Sequence, residues 1–255
     1  MGSTTTTLKA ESYIFPDWPC PPRVKSAITT RHGGVSGGPY VDFNIADHVG
    51  DDPAAVSENR KQLRIDLELP RDPAWLRQVH GTRVIDAGVP PTDVESDGSV
   101  ALEPGVVCAV MTADCLPVLL TDVQGTRVAA LHAGWRGLAA GIIEQGIEAL
   151  AASPGQLLAY LGPAIGPDAF EVGGEVRQVF CDHDPDAASA FQPAGTGKWM
   201  ADIYRLAHQR LDAGGVQKIY GGGRCTFHEE ADFFSYRRDK TCGRMASLIW
   251  IDAAD

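Results

Sequence analysis

The sequence has no apolar run that approaches the roughly 20 residues of a membrane-spanning helix. Residues 1–10 are polar and rich in threonine, and they lack the apolar core of a signal peptide. These two absences predict a cytoplasmic protein that does not bind a membrane.

Basic residues are scarce as well. The chain has 22 Lys and Arg against 33 Asp and Glu, which gives a formal net charge of −11, and its cations form no long stripe. Because nucleic-acid binding depends on cations that neutralise phosphates, this balance argues against such a partner. A small-molecule substrate is expected instead, while the sequence leaves the oligomeric state open.

Several local motifs of catalytic proteins are missing too. No G-x-S-x-G elbow occurs, which argues against a serine hydrolase. Residues 195–198 resemble part of a phosphate-binding loop, but Trp199 takes the place of the required Ser or Thr. Prolines follow Cys20, so the P-C-x-x-C zinc motif of nucleoside deaminases is absent. The six cysteines are scattered without a C-x-x-C pair, which predicts mostly reduced thiols.

The overall composition is that of a globular protein. Of 255 residues, 44% are hydrophobic and 22% are charged, so one domain with a large core is expected. We predict a flexible tail at 1–12 and a single catalytic domain at 13–255.

Apolar patterning predicts interleaved strands and helices. We expect a helix that Asp52 and Pro53 open, a helix after Gly137 that ends before Ser153, and a strand around His80. Further strands are predicted at 24–30, 106–111, 116–120, 127–131, 157–161, 216–220 and 247–250, and further helices at 176–180 and 200–211. Because these elements do not alternate strictly, we expect an α+β fold of mixed sheets with helices on the outer faces.

Three segments at apparent strand ends carry the candidate chemistry: 78–81, 112–117 and 131–137. Two histidines and one cysteine, His80, His132 and Cys115, can fill three corners of a zinc tetrahedron and leave the fourth for water. The spacing between them is too long for a local metal motif. Taken alone, each histidine is more often a core or surface residue, and the cysteine is more often a small buried hydrophobe.

The polar neighbours of these residues also have two interpretations. Asp114 lies at a kink between two buried strands and is a candidate catalytic residue, although a turn or cap role fits it equally. We place His132 and Arg136 in a strand-to-helix loop, where a helix start favours an anion. The triplet 237–239 is either a solvated charge cluster or part of the site, whereas 233–234 is more typical of core.

Many further segments match one known family in order. They are 29–36, Asn44 with 48–53, 59–60, the three segments above, 225–226, 233–239 and 243–244. On these residues the chain resembles the laccase-domain family of purine nucleoside phosphorylases, also called the YfiH-like or DUF152 family. Cys242 is a departure, since Thr is expected just before Gly243.

The resemblance implies a zinc ion held by His80, Cys115 and His132 in a layered α/β/β/α sandwich. It also implies phosphorolysis of adenosine, guanosine, inosine and S-methyl-5′-thioadenosine, and deamination of adenosine. A zinc ion lowers the pKa of a bound water towards neutrality, which suits deamination.

Phosphorolysis requires groups that bind phosphate. Arg31, Arg136 and the helix start after Gly137 are the candidates for phosphate, and Asn44 or Gln78 for substrate hydroxyls.

The sequence leaves other functions open. Copper can occupy the same ligands, but a multicopper polyphenol oxidase needs clustered histidines, and the seven histidines include no His-x-His pair. Relatives that remove L-Ser from a UDP-MurNAc-linked peptidoglycan precursor suggest a hydrolase in which Cys115 is a nucleophile and His132 its base. In a non-enzymatic binding protein the metal would only stabilise the fold, which normally takes four protein ligands.

Overall fold

The computed structural model describes residues 11–89 and 95–253. Its strands are β1 (Tyr13–Ile14), β2 (Val24–Thr29), β3 (Val84–Asp86), β4 (Gly98–Ala101), β5 (Val107–Thr112), β6 (Leu116–Asp122), β7 (Val128–Ala133), β8 (Leu157–Leu161), β9 (Glu171–Gly173), β10 (Phe191–Pro193), β11 (Lys198–Ala201), β12 (Lys218–Gly221) and β13 (Met245–Ile251). Its α-helices are α1 (Pro53–Asp66), α2 (Trp135–Ala140), α3 (Ile142–Leu150), α4 (Gly174–His183), α5 (Ile203–Ala213) and α6 (Tyr236–Asp239).

These strands form three sheets. One has six strands in the order β12-β8-β6-β7-β4-β3, one has four in the order β1-β2-β13-β5, and a small third one has the order β10-β11-β9. Most neighbours are antiparallel, but β12 with β8 and β3 with β4 are parallel. The six-stranded sheet is therefore mixed, as predicted.

The two large sheets pack face to face because their central strands are apolar on both sides. On β6, Leu119 packs against Val110 of β5 between the sheets, whereas Val118 and Leu120 pack with the residues of α3. Alternate side chains of a strand point to opposite faces, so a strand buried on both faces reads as a continuous apolar run.

The opposite face of the four-stranded sheet has its own cover. Leu63 of α1 packs with Ala109 and Met111 of β5 and with Leu248 of β13. Helix, sheet, sheet and helix thus follow one another, and both the α+β class and the predicted α/β/β/α layering are confirmed.

Most predicted elements are present with shifted ends. Asp52 caps α1 by accepting a hydrogen bond from the backbone N–H of Ala54, as its position before Pro53 predicts. The predicted helix after Gly137 is two helices, because Gly141 adopts a left-handed conformation with φ 105° between them. The helix expected from residue 200 begins at Ile203, since Met200 belongs to β11.

Two local predictions are wrong. The segment around His80 is not a strand: only Val84–Asp86 is regular, and His80 has a φ of 62°. His132 and Arg136 do not share a loop, because His132 is the fifth residue of β7 and Arg136 lies in the first turn of α2. The His80 segment is therefore less regular than predicted, whereas His132 and Arg136 lie within regular elements.

The predicted tail is only partly described. Residues 1–10 lie outside the described residues, whereas the backbone carbonyls of Glu11 and Ser12 accept hydrogen bonds from Thr30. No helix within the described residues is long and apolar enough to cross a membrane. The cytoplasmic location stays a prediction.

Candidate metal centre

A cavity of about 580 Å³ opens at the ends of β5, β6 and β7. It collects His80, Cys115 and His132 on one side and aromatic and apolar side chains around them. Its lining residues are His48, Gln78, His80, Met111, Thr112, Ala113, Asp114, Cys115, His132, Trp135, Arg136, Ile165, Phe170, Ile203, Tyr236, Arg237 and Arg244.

Asp97 holds the backbone that carries His80. Its carboxylate accepts hydrogen bonds from the N–H groups of Val79 (3.1 Å), His80 (2.8 Å) and Gly81 (2.7 Å). Three donors on one carboxylate stabilise the left-handed backbone of His80, which a residue with a side chain rarely adopts. This loop is what replaces the predicted strand.

The same carboxylate orients His132. Asp97 Oδ1 lies 2.7 Å from His132 Nδ1, and both side chains are buried. Because an ionised carboxylate only accepts, Nδ1 must donate, and Nε2 is the atom of His132 left for the cluster. One buried acid thus positions two of the three predicted ligands.

Cys115 occupies the kink between β5 and β6. Its predecessor, Asp114, has a φ of 87°, which turns the chain sharply just before β6 begins at Leu116. The Asp114 carboxylate accepts hydrogen bonds from Thr226 Oγ1 (2.7 Å) and from the backbone N–H of Arg237 (2.6 Å). Both oxygens are engaged by protein, which is the geometry of a positioning residue.

The three donor atoms are close enough to share one ion. Their mutual distances are all within 4.8 Å, and Cys115 Sγ lies 3.7 Å from His80 Nε2. In a tetrahedral zinc site a nitrogen and a sulfur ligand lie about 3.5 Å apart, because the metal–ligand bonds are about 2.05 and 2.3 Å. The donor set and its spacing fit zinc. Two imidazoles with one thiolate are also a donor set that suits copper.

Space around the cluster depends on glycine. A Cβ atom at Gly134 would lie 2.7 Å from His80 Cδ2 and 3.0 Å from Cys115 Sγ. A Cβ atom at Gly137 would lie 2.7 Å from the carbonyl oxygen of Gly81. The close approach of α2 to the His80 loop is therefore possible only without side chains at these two positions.

The electrostatics favour an ionised thiol. Burial raises the pKa of Cys115, but the neighbouring His132 and His80 outweigh it and lower that pKa to about 6. Burial lowers the pKa of His132, but Cys115 and Asp97 outweigh it and raise that pKa to about 9. Burial also raises the pKa of Asp97, whereas hydrogen bonds from His132 and Gly81 give a net lowering. A thiolate is the form that ligates metal or attacks an electrophile.

Two of the four predicted substrate residues line this cavity. Arg136 is exposed, and its guanidinium carbon lies 4.5 Å from the ring centroid of Trp135. Gln78 exchanges two 2.8 Å hydrogen bonds with the backbone of Met111, which ties the His80 segment to β5. Each amide atom of Gln78 retains capacity for one more hydrogen bond.

Arg31 and Asn44, the other two predicted substrate residues, do not line the cavity. Arg31 donates to the backbone carbonyls of Val41 and Glu230, so it braces its own glycine-rich segment. Asn44 is fully buried, and its Oδ1 accepts from the backbone N–H of Arg244. Asn44 therefore contacts the backbone of Arg244, which lines the cavity, rather than the cavity itself.

Sequence reasoning missed Asp97, Arg244 and His48. Asp97 precedes Gly98, a pair that reads as a turn, and nothing local reveals that its carboxylate is buried. Arg244 and His48 belong to matched family segments, but their residue types alone carry no signal. Only tertiary contacts bring them to the cavity.

Fold and site together define a class: an α+β protein with a His-Cys-His cluster, able to hold a metal ion, in an open cavity. The family model described as "Multi-copper polyphenol oxidoreductase laccase" matches residues 25–252. The chain therefore belongs to this laccase-like family, known also as DUF152 or YfiH, and the resemblance seen in the sequence is confirmed.

Relatives within the family are similar over nearly their whole length. A Pseudomonas aeruginosa protein named purine nucleoside phosphorylase PA4543 is 54% identical over 241 residues, which is 94% of this chain and 98% of that protein. The Escherichia coli purine nucleoside phosphorylase YfiH is 54% identical over 239 residues, covering 93% and 98%.

Solved structures share the fold. Protein NMB0706 of Neisseria meningitidis, family-model DUF152, superposes with a TM-score of 0.91 at 50% identity, covering 95% of this chain and all of that one (100%). YlmD of Geobacillus stearothermophilus superposes with a TM-score of 0.88 at 31% identity, covering 96% and 97%.

Proposed function

We propose that this protein is a zinc-dependent purine nucleoside phosphorylase. One observation carries the proposal: a single cavity is lined by three candidate metal donors, by aromatic rings and by arginines that have no carboxylate partner among the described residues. Relatives 54% identical that are named purine nucleoside phosphorylases support the same conclusion.

His80, Cys115 and His132 would hold the zinc ion, and Asp97 would fix the orientation of His132. When bound, zinc supplies Lewis acidity and lowers the pKa of a coordinated water. Three protein ligands leave one coordination position open, which is typical of a catalytic rather than a structural site. Copper at the same ligands is the alternative occupant.

The remaining lining residues suit the two substrates. Trp135, Phe170 and Tyr236 offer ring faces to a purine, and Arg136 offers a positive charge to phosphate. In phosphorolysis a phosphate oxygen forms a bond to C1′ of the ribose while the C1′–N9 bond breaks, and its electron pair leaves with the base. Cations that hold phosphate at C1′ therefore promote the reaction by orientation.

We expect inosine, adenosine, guanosine and S-methyl-5′-thioadenosine as substrates, since the aromatic walls bind the face that all purines share. Deamination of adenosine to inosine is expected as a second activity at the same metal. The protein is then an enzyme with small-molecule partners only.

The test is the dependence of base release on phosphate. Purified protein is incubated with inosine, with and without orthophosphate, and hypoxanthine, ribose and ribose 1-phosphate are quantified. We expect hypoxanthine and ribose 1-phosphate in equal amounts and only with phosphate. Hypoxanthine with free ribose, independent of phosphate, would show a hydrolase and refute the proposal.

A second candidate is a cysteine hydrolase, which the contact chain Asp97–His132–Cys115 favours. A thiol beside an imidazole that an acid orients is the arrangement of nucleophilic catalysis. Its substrate would be the peptidoglycan precursor UDP-MurNAc-L-Ser, from which L-Ser is removed. Activity on this substrate that survives removal of all metal would favour the hydrolase over the phosphorylase.

A further inference from the structure

The cavity carries excess positive charge in an acidic protein. Arg136, Arg237 and Arg244 line it, and none of them forms an ion pair with a carboxylate of the described residues. Asp114 is the one acidic side chain among the described lining residues, and both of its oxygens already accept hydrogen bonds. The chain as a whole has a net charge of −11, yet these cavity arginines have no acidic partner among the described residues, which points to an anionic ligand.

The guanidinium of Arg237 is hydrogen-bonded to the protein through Nη1 but not through Nε or Nη2 among the described residues. Its Nη1 donates to the backbone carbonyls of Glu171 (2.9 Å) and Ala169 (3.4 Å), and its guanidinium carbon lies 5.6 Å from the ring centroid of Phe170. A guanidinium has five N–H donors. Nε–H and both Nη2–H groups therefore have no hydrogen-bond partner in the described part of the chain.

Arg244 repeats this arrangement. Its Nη1 donates to the backbone carbonyls of Cys242 and Gly243, each at 2.9 Å. Its guanidinium carbon lies 5.7 Å from the ring centroid of Tyr236, the sequence neighbour of Arg237. We call Tyr236, Arg237 and Arg244 the arginine wall. Each of its arginines keeps the Nε–Nη2 edge unused among the described residues.

Arg238 shows what such an edge binds. Its Nη1 also donates to two backbone carbonyls, those of Thr226 (2.9 Å) and Phe227 (3.0 Å). Its Nε and Nη2 bind the two carboxylate oxygens of Asp239, at 2.9 and 2.8 Å. In Arg238 a carboxylate thus occupies the Nε–Nη2 edge, which in Arg237 has no partner among the described residues.

We propose that Arg237 and Arg244 form the orthophosphate subsite of this protein, with Arg136 adding a third charge from the side of the metal ligands. The assignment rests on the proposed phosphorolysis. Orthophosphate offers several oxygens, so two fixed guanidinium edges can each bind it through two N–H groups. Because their Nη1 atoms are already anchored, little side-chain freedom is lost on binding.

The test compares Arg237→Lys and Arg244→Lys with wild type. Lysine keeps the charge but removes the paired N–H edge. The matched control is Arg177→Lys, because Arg177 also lies over an aromatic ring, that of Trp199 at 4.4 Å, but does not line the cavity. Thermal unfolding of each metal-loaded variant verifies that it is folded, and Arg→Gln at the same positions removes the charge as well.

Binding is measured calorimetrically with orthophosphate, inosine and inosine 5′-monophosphate as separate ligands. We expect each cavity variant to weaken orthophosphate binding, and to raise the phosphate KM, by roughly tenfold to a hundredfold. Inosine binding and the control variant should stay within about twofold of wild type.

Unchanged orthophosphate binding in both variants would overturn the subsite. Losses confined to inosine 5′-monophosphate would overturn it too, because the anion would then be an ester on the substrate. If the arginines bind orthophosphate but no purine base is released, the subsite stands and the phosphorylase proposal fails. If phosphorolysis proceeds in the variants with an unchanged phosphate KM, the phosphorylase proposal stands and the subsite fails.

Discussion

The two sides of the cavity are built differently. His80, Cys115 and His132, which we call the metal wall, lie at ends of buried strands or on a loop that Asp97 braces with three backbone hydrogen bonds. The arginine wall comes from a four-residue helix and the loop after it, and Tyr236 is 52% exposed. Ligands that must meet at one ion need a rigid frame, whereas charges that meet a diffusible anion tolerate a more exposed one.

Asp114 connects the two walls. It directly precedes Cys115, and its carboxylate accepts a 2.6 Å hydrogen bond from the backbone N–H of Arg237. A change at Asp114 should therefore disturb the arginine wall, whereas changes around Asp97 should disturb the metal wall. Five substitutions separate these effects, from the largest to the smallest.

Removal of a ligand should have the largest effect. Cys115→Ala leaves two imidazoles, so we expect loss of stoichiometric zinc and less than about 1% of wild-type phosphorolysis. Elemental analysis and hypoxanthine release are measured on one preparation. Cys181→Ala on α4 is the control and should keep both. A metal-free but fully active Cys115→Ala would disprove the role of the metal wall.

Asp97→Asn should weaken the metal site without removing a ligand. The amide would present N–H groups to backbone donors that now bind a carboxylate, so the His80 loop and the His132 ring lose their orientation. We expect zinc affinity to fall about 10- to 100-fold, measured by competition with a chelator. Asp86→Asn, at an exposed carboxylate, should leave the affinity unchanged. Equal affinities for both variants would contradict the positioning role of Asp97.

Gly134→Ala tests the space behind the cluster. Its Cβ would come within 2.7 Å of His80 Cδ2, so we expect a loss of about 1–3 kcal/mol in stability and weaker zinc binding. Gly155→Ala, where nothing lies within 4 Å of the added Cβ, should unfold at the wild-type temperature or above. Thermal unfolding measures the stability and zinc titration measures the affinity. If Gly134→Ala has wild-type stability and zinc affinity, position 134 does not lie as close to the His80 ring as described.

Arg136→Ala changes the phosphate dependence instead. Arg136 is an exposed cation over Trp135, so we expect the phosphate KM to rise about tenfold while zinc content and the inosine KM stay unchanged. Arg177→Ala removes a similarly stacked cation outside the cavity and serves as control. An unchanged phosphate KM would remove Arg136 from the site.

Asp114→Asn should have the smallest effect. Asparagine tolerates a positive φ and keeps one acceptor oxygen, so it loses one of the two bonds to Thr226 and Arg237. We expect the phosphate KM to rise about threefold with zinc content preserved. A fall in zinc content with an unchanged phosphate KM would place Asp114 with the metal wall alone.

The sequence pattern predicts an α+β fold of mixed sheets with helices on the outer faces, whereas the α/β/β/α layering is what the family resemblance implies. Strands β5 and β6 are continuous apolar runs in the sequence, and the Asp52-Pro53 pair predicts the start of α1. The loop at His80 is not predictable in this way, because its backbone N–H groups donate to the carboxylate of Asp97, 17 residues further along the chain. The local sequence pattern predicts which residues are buried and where a helix begins. It does not predict which side chains from separate segments bond to one another.

Residue type alone identifies His80, Cys115 and His132 as candidate metal donors, but it does not show that they converge. In the structure their donor atoms lie within 4.8 Å of one another. The arginines show the opposite case. Arg237 and Arg238 are neighbours of identical type, yet one pairs with Asp239 and the other faces the cavity. No single-sequence pattern distinguishes them, because the difference lies in which tertiary contact fills the guanidinium edge.

The most direct measurement is a zinc titration of metal-stripped wild-type protein, with phosphate-dependent hypoxanthine release followed at each step. Since His80, Cys115 and His132 offer one three-donor site within the described residues, the account predicts activity that rises linearly and stops at one zinc per chain. Full activity before any zinc is added would contradict it.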